Sequence, residues 1–217
     1  MNRLPRPPLL IISDRRLARR PLSEVAVDVF EAGARWFMLR EKDLPRVQAA
    51  ALARACHTAA EAYGAVLTLN MPHAVEIARE VGVCSVHVQQ AQAVAAARDV
   101  LGDAALVGMS AHTPDDVAAA VEAGADYVTW SPVFPSVSKA GYAPTGDGVA
   151  QLRAMARQAP IPVVALGGIT PANAARCLAA GAAGVAVLGV VMQAPAPGRV
   201  VAALLRACGW QTAAGAW

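Results

Sequence analysis

Short apolar runs alternate along this chain with longer segments whose apolar positions recur at helical spacing. Leu9-Leu-Ile-Ile-Ser13 is unbroken and reads as a strand buried on both faces. Leu22 to Ala32 places Val25, Val29 and Ala32 on one side of a helix, and Gly33-Ala34 ends it. Trp36-Phe-Met-Leu39 is the next strand, with Arg40-Glu-Lys42 at its C-terminal end. Asp43 is positioned to cap an alanine-rich helix that tolerates Pro45 in its first turn and runs to about Tyr63.

The unit then repeats. Strands are expected at Val66–Asn70, Ser85–Val88, Leu106–Ser110, Tyr127–Trp130, Pro162–Leu166 and Val185–Leu188. Helices are expected at about Pro72–Val81, up to Leu101, after Thr113, over Gly148–Ala159, after Gly167-Gly-Ile-Thr-Pro171 and over Pro197–Cys208. Thr113-Pro-Asp-Asp116 is a strong helix start: a cap, a proline in the first position and a carboxylate three residues after the cap. A Gly-Ala or Gly-Val step precedes many strands. About eight strand–helix units predict an α/β fold, a compact (β/α)8 TIM barrel forming one domain over 1–208 with a tail over 209–217. An open doubly wound sheet is the runner-up, weakened because no G-x-G-x-x-G follows the first strand.

Composition agrees with that layering. Of 217 residues, 56% are hydrophobic and only 5% aromatic, so small side chains dominate and let helices approach a sheet closely. The net charge of +3 is modest, and basic residues are not interleaved with aromatics, which argues against nucleic acid as a partner. Arg15, Arg16, Arg19 and Arg20 read as a solvated loop. Cys56, Cys84, Cys177 and Cys208 form no C-x-x-C pair and read as small buried hydrophobes in a reducing compartment. No signal peptide or membrane span is expected, and the expected location is cytoplasmic.

In a barrel every strand C-terminus faces one end, where active sites sit. That end collects Arg40 and Lys42, Asn70, Ser110 and His112, the loop residues Ser136, Ser138 and Lys139, Gly168, and Leu188-Gly189. The hydroxyls and ammonium of Ser136-x-Ser138-Lys139, beside two strands ending in glycine, suit a phosphate. Arg40 and Lys42 are candidates for a second anion, and His112 for proton transfer. Asn70 and Ser110 fit local turns as well as ligand contact. His87 reads as structural, and His57 and His73 as exposed.

Several segments together resemble the thiamine phosphate synthase/TenI family. They are Leu10-Ile-Ile-Ser-Asp14, Leu39-Arg-Glu-Lys42, Val107-Gly-Met-Ser-Ala-His-Thr113, Gly124-Ala-Asp-Tyr-Val128, Ser131-Pro-Val-Phe-Pro-Ser-Val-Ser-Lys139, Pro162-Val-Val-Ala-Leu-Gly-Gly-Ile169 and Gly184-Val-Ala-Val187. The resemblance implies a barrel acting on a small-molecule thiazole phosphate in thiamine biosynthesis, with association into a homo-oligomer left open. The family holds a synthase, which joins hydroxymethylpyrimidine diphosphate to thiazole phosphate using Mg²⁺, and a thiazole tautomerase, which shifts a proton on carboxythiazole phosphate. The synthase's two metal-binding aspartates match Met71 and Gln92 here, and its pyrimidine-contacting glutamine matches Met38. A thioether and a neutral amide do not replace two carboxylates toward Mg²⁺. The expectation is therefore a metal-independent tautomerase without cofactor, with His112 carrying the proton. The synthase, with Mg²⁺, is the alternative, and a non-catalytic binder of thiazole or thiamine phosphate a third reading.

Overall fold

The computed structural model describes residues 3–136, 141 and 143–210. Eight parallel strands close into a barrel in sequence order: β1 (Leu9–Ile12), β2 (Trp36–Leu39), β3 (Val66–Leu69), β4 (Ser85–Val88), β5 (Leu106–Ala111), β6 (Tyr127–Trp130), β7 (Val163–Leu166) and β8 (Gly184–Val187). The helices between them are α1 (Leu22–Glu31), α2 (Arg46–Ala62), α3 (Ala74–Val81), α4 (Ala91–Leu101), α5 (Pro114–Glu122), α6 (Gly148–Gln158) and α7 (Ala174–Ala179). After β8 come a four-residue helix, α8 (Gly189–Met192), and α9 (Pro197–Ala207). Closure needs β8 to pair with β1, and it does so with Leu9 opposite Val185 and Ile11 opposite Val187.

The unbroken apolar strands are explained by two cores. Successive side chains on a strand face opposite ways. In β1, Leu9 and Ile11 join the large layer between strands and helices, while Leu10 and Ile12 join the inner cluster with Trp36, Met38, Tyr127 and Val164. Leu4, ahead of β1, packs into that inner cluster. Arg3 reaches Asp126, which also takes Arg98 at 2.6 Å and the Val107 N–H at 2.7 Å, tying the N-terminal segment to the base of β5 and β6.

Several local expectations change. Asp43 does not cap α2; Pro45 occupies the N-cap and the Asp43 carboxylate pairs with Arg15. α3 starts at Ala74 rather than near Pro72, after His73 turns left-handed at φ 59°. The helix expected after Pro171 begins at Ala174, and Asn173 before it accepts from Thr170 N–H at 2.8 Å and donates to Gly168 O at 3.0 Å. Cys84 is exposed and Cys208 half-buried, against the expectation of four buried thiols, while burial pushes Cys56 and Cys177 up to about 12. His57 is half-buried rather than exposed. Trp210, in the tail without a legible pattern, packs against the outer core. No helix among the described residues is long and apolar enough to cross a membrane.

Candidate active site

The C-terminal ends of the strands enclose a cavity of about 1190 Å³. Every expected site residue that the structure describes lines it: Arg40, Lys42, Asn70, Ser110, His112, Ser136, Gly168, Leu188 and Gly189. Ser138 and Lys139 lie outside the described residues.

His112 is delivered by local sequence. β5 ends at Ala111, and the capping box of Thr113 and Asp116 starts α5 directly afterwards. Asp116 Oδ2 accepts the His112 N–H at 2.8 Å, so the cap also fixes the histidine backbone. The ring Nδ1 lies 2.8 Å from the Ser131 carbonyl oxygen. A carbonyl only accepts, so Nδ1 carries a proton and donates it to Ser131 O. The histidine thus lines the cavity and has one nitrogen anchored on backbone.

His87, read from sequence as structural, belongs to both descriptions. It is buried, yet it borders the cavity floor. Its Nε2 meets Ser110 Oγ at 3.0 Å and its Nδ1 meets the Tyr127 hydroxyl at 3.2 Å. Burial, and then the nearby Lys42 ammonium, push its pKa down to about 3, so it stays neutral at physiological pH. Ser110 is thereby held by a side-chain network rather than by a local turn. Asn70 donates to the His87 carbonyl at 2.5 Å, which fixes its amide across β3 and β4.

At the opposite rim, glycines have two reasons to be there. A Cβ on Gly168 would lie 2.3 Å from Pro135 O, and one on Gly167 2.8 Å from Pro132 Cα. Both residues also have positive φ, 102° and 62° for Gly167 and Gly168. The segment after β6 is pressed onto β7 by Val133 N–H to Leu166 O at 2.9 Å and Phe134 N–H to Gly167 O at 3.0 Å. That contact leads the chain to Ser136, which lines the same cavity as Leu188 and Gly189 at the start of α8.

Arg16, Arg19 and Arg20 are exposed, as expected of a solvated loop, but the run also makes ion pairs. Arg15 bridges Glu41 at 3.1 Å and Asp43 at 2.5 and 2.9 Å, and Arg20 pairs with Asp28. The Arg15 hydrogen bond holds the Asp43 carboxyl at about 2. Arg16 lines the cavity. Arg40 does not take Glu41 or Asp43 as an ion-pair partner; Arg15 has both.

The residues at the expected metal positions do not fit Mg²⁺. Met71 is a buried thioether in the outer core, Gln92 is exposed on α4 and outside the cavity lining, and the Asn70 amide nitrogen is bonded to His87. Glu41 is committed to Ser13 and Arg15, and Asp14 to Arg16. Among the described residues no group of three or more His, Cys, Asp or Glu side chains could hold a metal.

Residues 9–191 match the family model for thiamine monophosphate synthase. A Geobacter sulfurreducens protein provisionally named a thiamine-phosphate synthase is 42% identical over 201 residues, covering 91% of this chain and 92% of its own. The thiamine-phosphate synthase of Geobacillus kaustophilus is 38% identical, covering 88% of this chain and 86% of its own. Among solved structures, a thiamine phosphate pyrophosphorylase from Pyrococcus furiosus superposes with a TM-score of 0.81 at 26% identity, covering 93% and 95% of the two chains.

Proposed function

The chain belongs to the thiamine monophosphate synthase/TenI family, and on that premise we propose that it joins a pyrimidine diphosphate to a thiazole phosphate with release of diphosphate. This differs from the tautomerase expected from Met71 and Gln92. The full-length relatives named as thiamine-phosphate synthases support it. The observation on the chain itself that carries it is the cavity. At about 1190 Å³ it exceeds the roughly 300–1000 Å³ that one small ligand occupies, which suits two phosphorylated substrates held together.

In this reading Ser136, Gly168, Leu188 and Gly189 bind the thiazole phosphate. Arg40 and Lys42 bind the diphosphate at the other end. Asn70 and Ser110 orient the rings between them; joining at the thiazole nitrogen moves no ring proton, so the proton transfer expected of His112 belongs to the tautomerase reading below. Burying both substrates together supplies proximity, and the fixed cations meet the charge that builds on the departing group. Since the residues do not fit Mg²⁺, no step is assigned to the metal.

The tautomerase remains the second reading, favoured by the absence of carboxylates at Met71 and Gln92. It requires only a phosphate anchor, a cationic site for a carboxylate and a proton carrier. One experiment separates the two. The protein is given both synthase substrates with and without Mg²⁺, and separately carboxythiazole phosphate in deuterated water. Thiamine phosphate formation supports the synthase. Its absence in both metal conditions, together with proton exchange on the thiazole, replaces it with the tautomerase. Absence of both leaves a binder.

A further inference from the structure

The cavity floor divides by strand. Along β7, β8, β1 and β2 it is apolar, made by Leu166, Ala186, Ile12 and Met38, which belong to the inner cluster or pack on it. From the end of β3 to β6 it is polar, made by Asn70, His87, Ser110 and Thr129. That polar half centres on His87. Asn70 bonds its carbonyl, while Ser110 and Thr129 meet its Nε2 at 3.0 and 3.4 Å. Its Nδ1 meets the hydroxyl of Tyr127 at 3.2 Å, and Tyr127 is fully buried and off the cavity lining.

These bonds have a sense that the chemistry fixes. Neutral His87 holds one ring proton. Burial pushes the Tyr127 phenol up, so it keeps its own. Among the described residues, His87 Nδ1 is the one hydrogen-bond partner of that phenol. A buried donor without an acceptor costs the full desolvation of the group. Tyr127 therefore donates to Nδ1, and the His87 proton sits on Nε2. Nε2–H donates to Ser110 Oγ, the shorter of its two contacts, which leaves the Ser110 hydrogen for an acceptor in the cavity. Thr129 favours the opposite sense, since His87 is its partner too. Its contact is longer, and it lines the cavity, where its hydrogen has an outlet that Tyr127 lacks. Trp36, edge-on with centroids 5.0 Å apart, and Gly108, whose missing side chain leaves room for the ring, fix Tyr127 in place.

We propose that Tyr127 and His87 form a one-way hydrogen-bond relay that makes Ser110 a dedicated donor to the substrate. The proposal rests on the reading that a ring-bearing phosphate fills the cavity. The group selected at Ser110 is an acceptor without a proton, such as an unprotonated ring nitrogen. A protonated nitrogen or an amino group in the same place would meet Ser110 donor to donor. Asn70 presents the opposite sense: its Nδ2 is spent on the His87 carbonyl, so Oδ1 is the end left for a ligand. Tyr127 is a positioning residue that acts through His87, and His87 acts through Ser110.

The first test is nitrogen NMR of the histidine side chains in the full chain. His87 is expected to carry its proton on Nε2, and Tyr127→Phe should move the Nδ1 resonance, as loss of a hydrogen bond to an unprotonated nitrogen does. A proton on Nδ1, or an Nδ1 resonance indifferent to Tyr127→Phe, overturns the relay. The second test is calorimetric titration with thiamine phosphate, which carries both rings, and with inorganic phosphate as control. His87→Leu should weaken thiamine phosphate about twofold to tenfold, the worth of one positioned hydrogen bond, and leave inorganic phosphate unchanged. His87→Gln should restore the affinity, because its amide accepts from Tyr127 and donates to Ser110 at once. In a Ser110→Ala background, His87→Leu should have no further effect. If His87→Leu fails to fold, His87→Leu with Tyr127→Phe, which leaves no orphan donor, takes its place. Equal loss with and without Ser110, or loss of inorganic phosphate binding as well, makes His87 merely structural and overturns the proposal. Should thiamine phosphate form from the two synthase substrates while His87 carries its proton on Nδ1, the relay fails and the synthase reading stands. Should the Nε2 proton and the Ser110 dependence hold while no thiamine phosphate forms, the synthase reading fails and the relay stands.

Discussion

Gly108 sits in the middle of β5, where any β-branched residue would suit a strand, and replacing it with alanine is expected to damage the protein. An added Cβ would lie 2.1 Å from Tyr127 Cζ, 2.4 Å from Cε1 and 2.6 Å from Cε2. Carbon atoms in contact rest at roughly 3.5–4.0 Å, so the ring must move by more than about 1 Å. It has nowhere to go. Tyr127 is fully buried, stands edge-on to Trp36 with centroids 5.0 Å apart, and bonds His87 through its hydroxyl. Overpacking of this kind costs about 1–3 kcal/mol, and loss of the Tyr127–His87 hydrogen bond adds about 1. A total near 2–4 kcal/mol lowers the melting temperature of a chain this long by about 5–15 °C. The assay is urea unfolding and calorimetry of Gly108→Ala beside the parent. A second effect should accompany the first: because His87 also holds Ser110, turnover should fall even below the melting transition. Trimming the obstructing ring with Tyr127→Leu in the Gly108→Ala background should restore part of the stability. A Gly108→Ala protein that melts with the parent would refute the account of the barrel interior.

Three further outcomes are expected. Gly189→Asp puts a carboxylate where the thiazole phosphate is proposed to sit and should weaken its binding strongly; equal affinity in a direct titration would move the phosphate elsewhere. In the tautomerase reading, His112→Gln, which keeps a hydrogen bond but carries no proton, should lose about a hundredfold to ten-thousandfold in proton exchange on carboxythiazole phosphate with little change in substrate affinity, and parent-like exchange would make His112 a structural residue. His87, depressed to about 3, is neutral in the fold while its unfolded counterpart protonates below about 6.5, so stability is complete above that pH and declines as pH falls toward 3. Between pH 6.5 and 4.5 the loss from this group should be roughly 2–3 kcal/mol, and His87→Gln should show a flatter unfolding curve over that window.

Periodicity alone determined the barrel. Eight apolar runs separated by helical spacing leave few ways to bury strands on both faces, and the Gly-Ala steps mark where each strand is re-entered. The Thr113–Asp116 box was legible because capping depends on residues three apart in the chain. Once the strands were placed, so was the set of residues at their C-terminal ends, since a closed parallel barrel sends all of them to one face. Tertiary structure decided everything that depends on partners distant in sequence. Glu41 reads as one acid among basic neighbours until the fold brings it against Ser13 and Arg15, 28 and 26 residues away, which separates an Arg15 bridged to a buried carboxylate from a cavity-lining Arg16. His87 looks like an ordinary strand residue until Ser110 and Tyr127 arrive 23 and 40 residues later. Asp43 has the right chemistry for a helix cap, but a guanidinium across the β1–β2 gap binds its charge more strongly than backbone N–H groups would. Gly108, Gly167 and Gly168 carry no side chain to read, and only packing shows that Tyr127 and the segment after β6 occupy the space a Cβ would need.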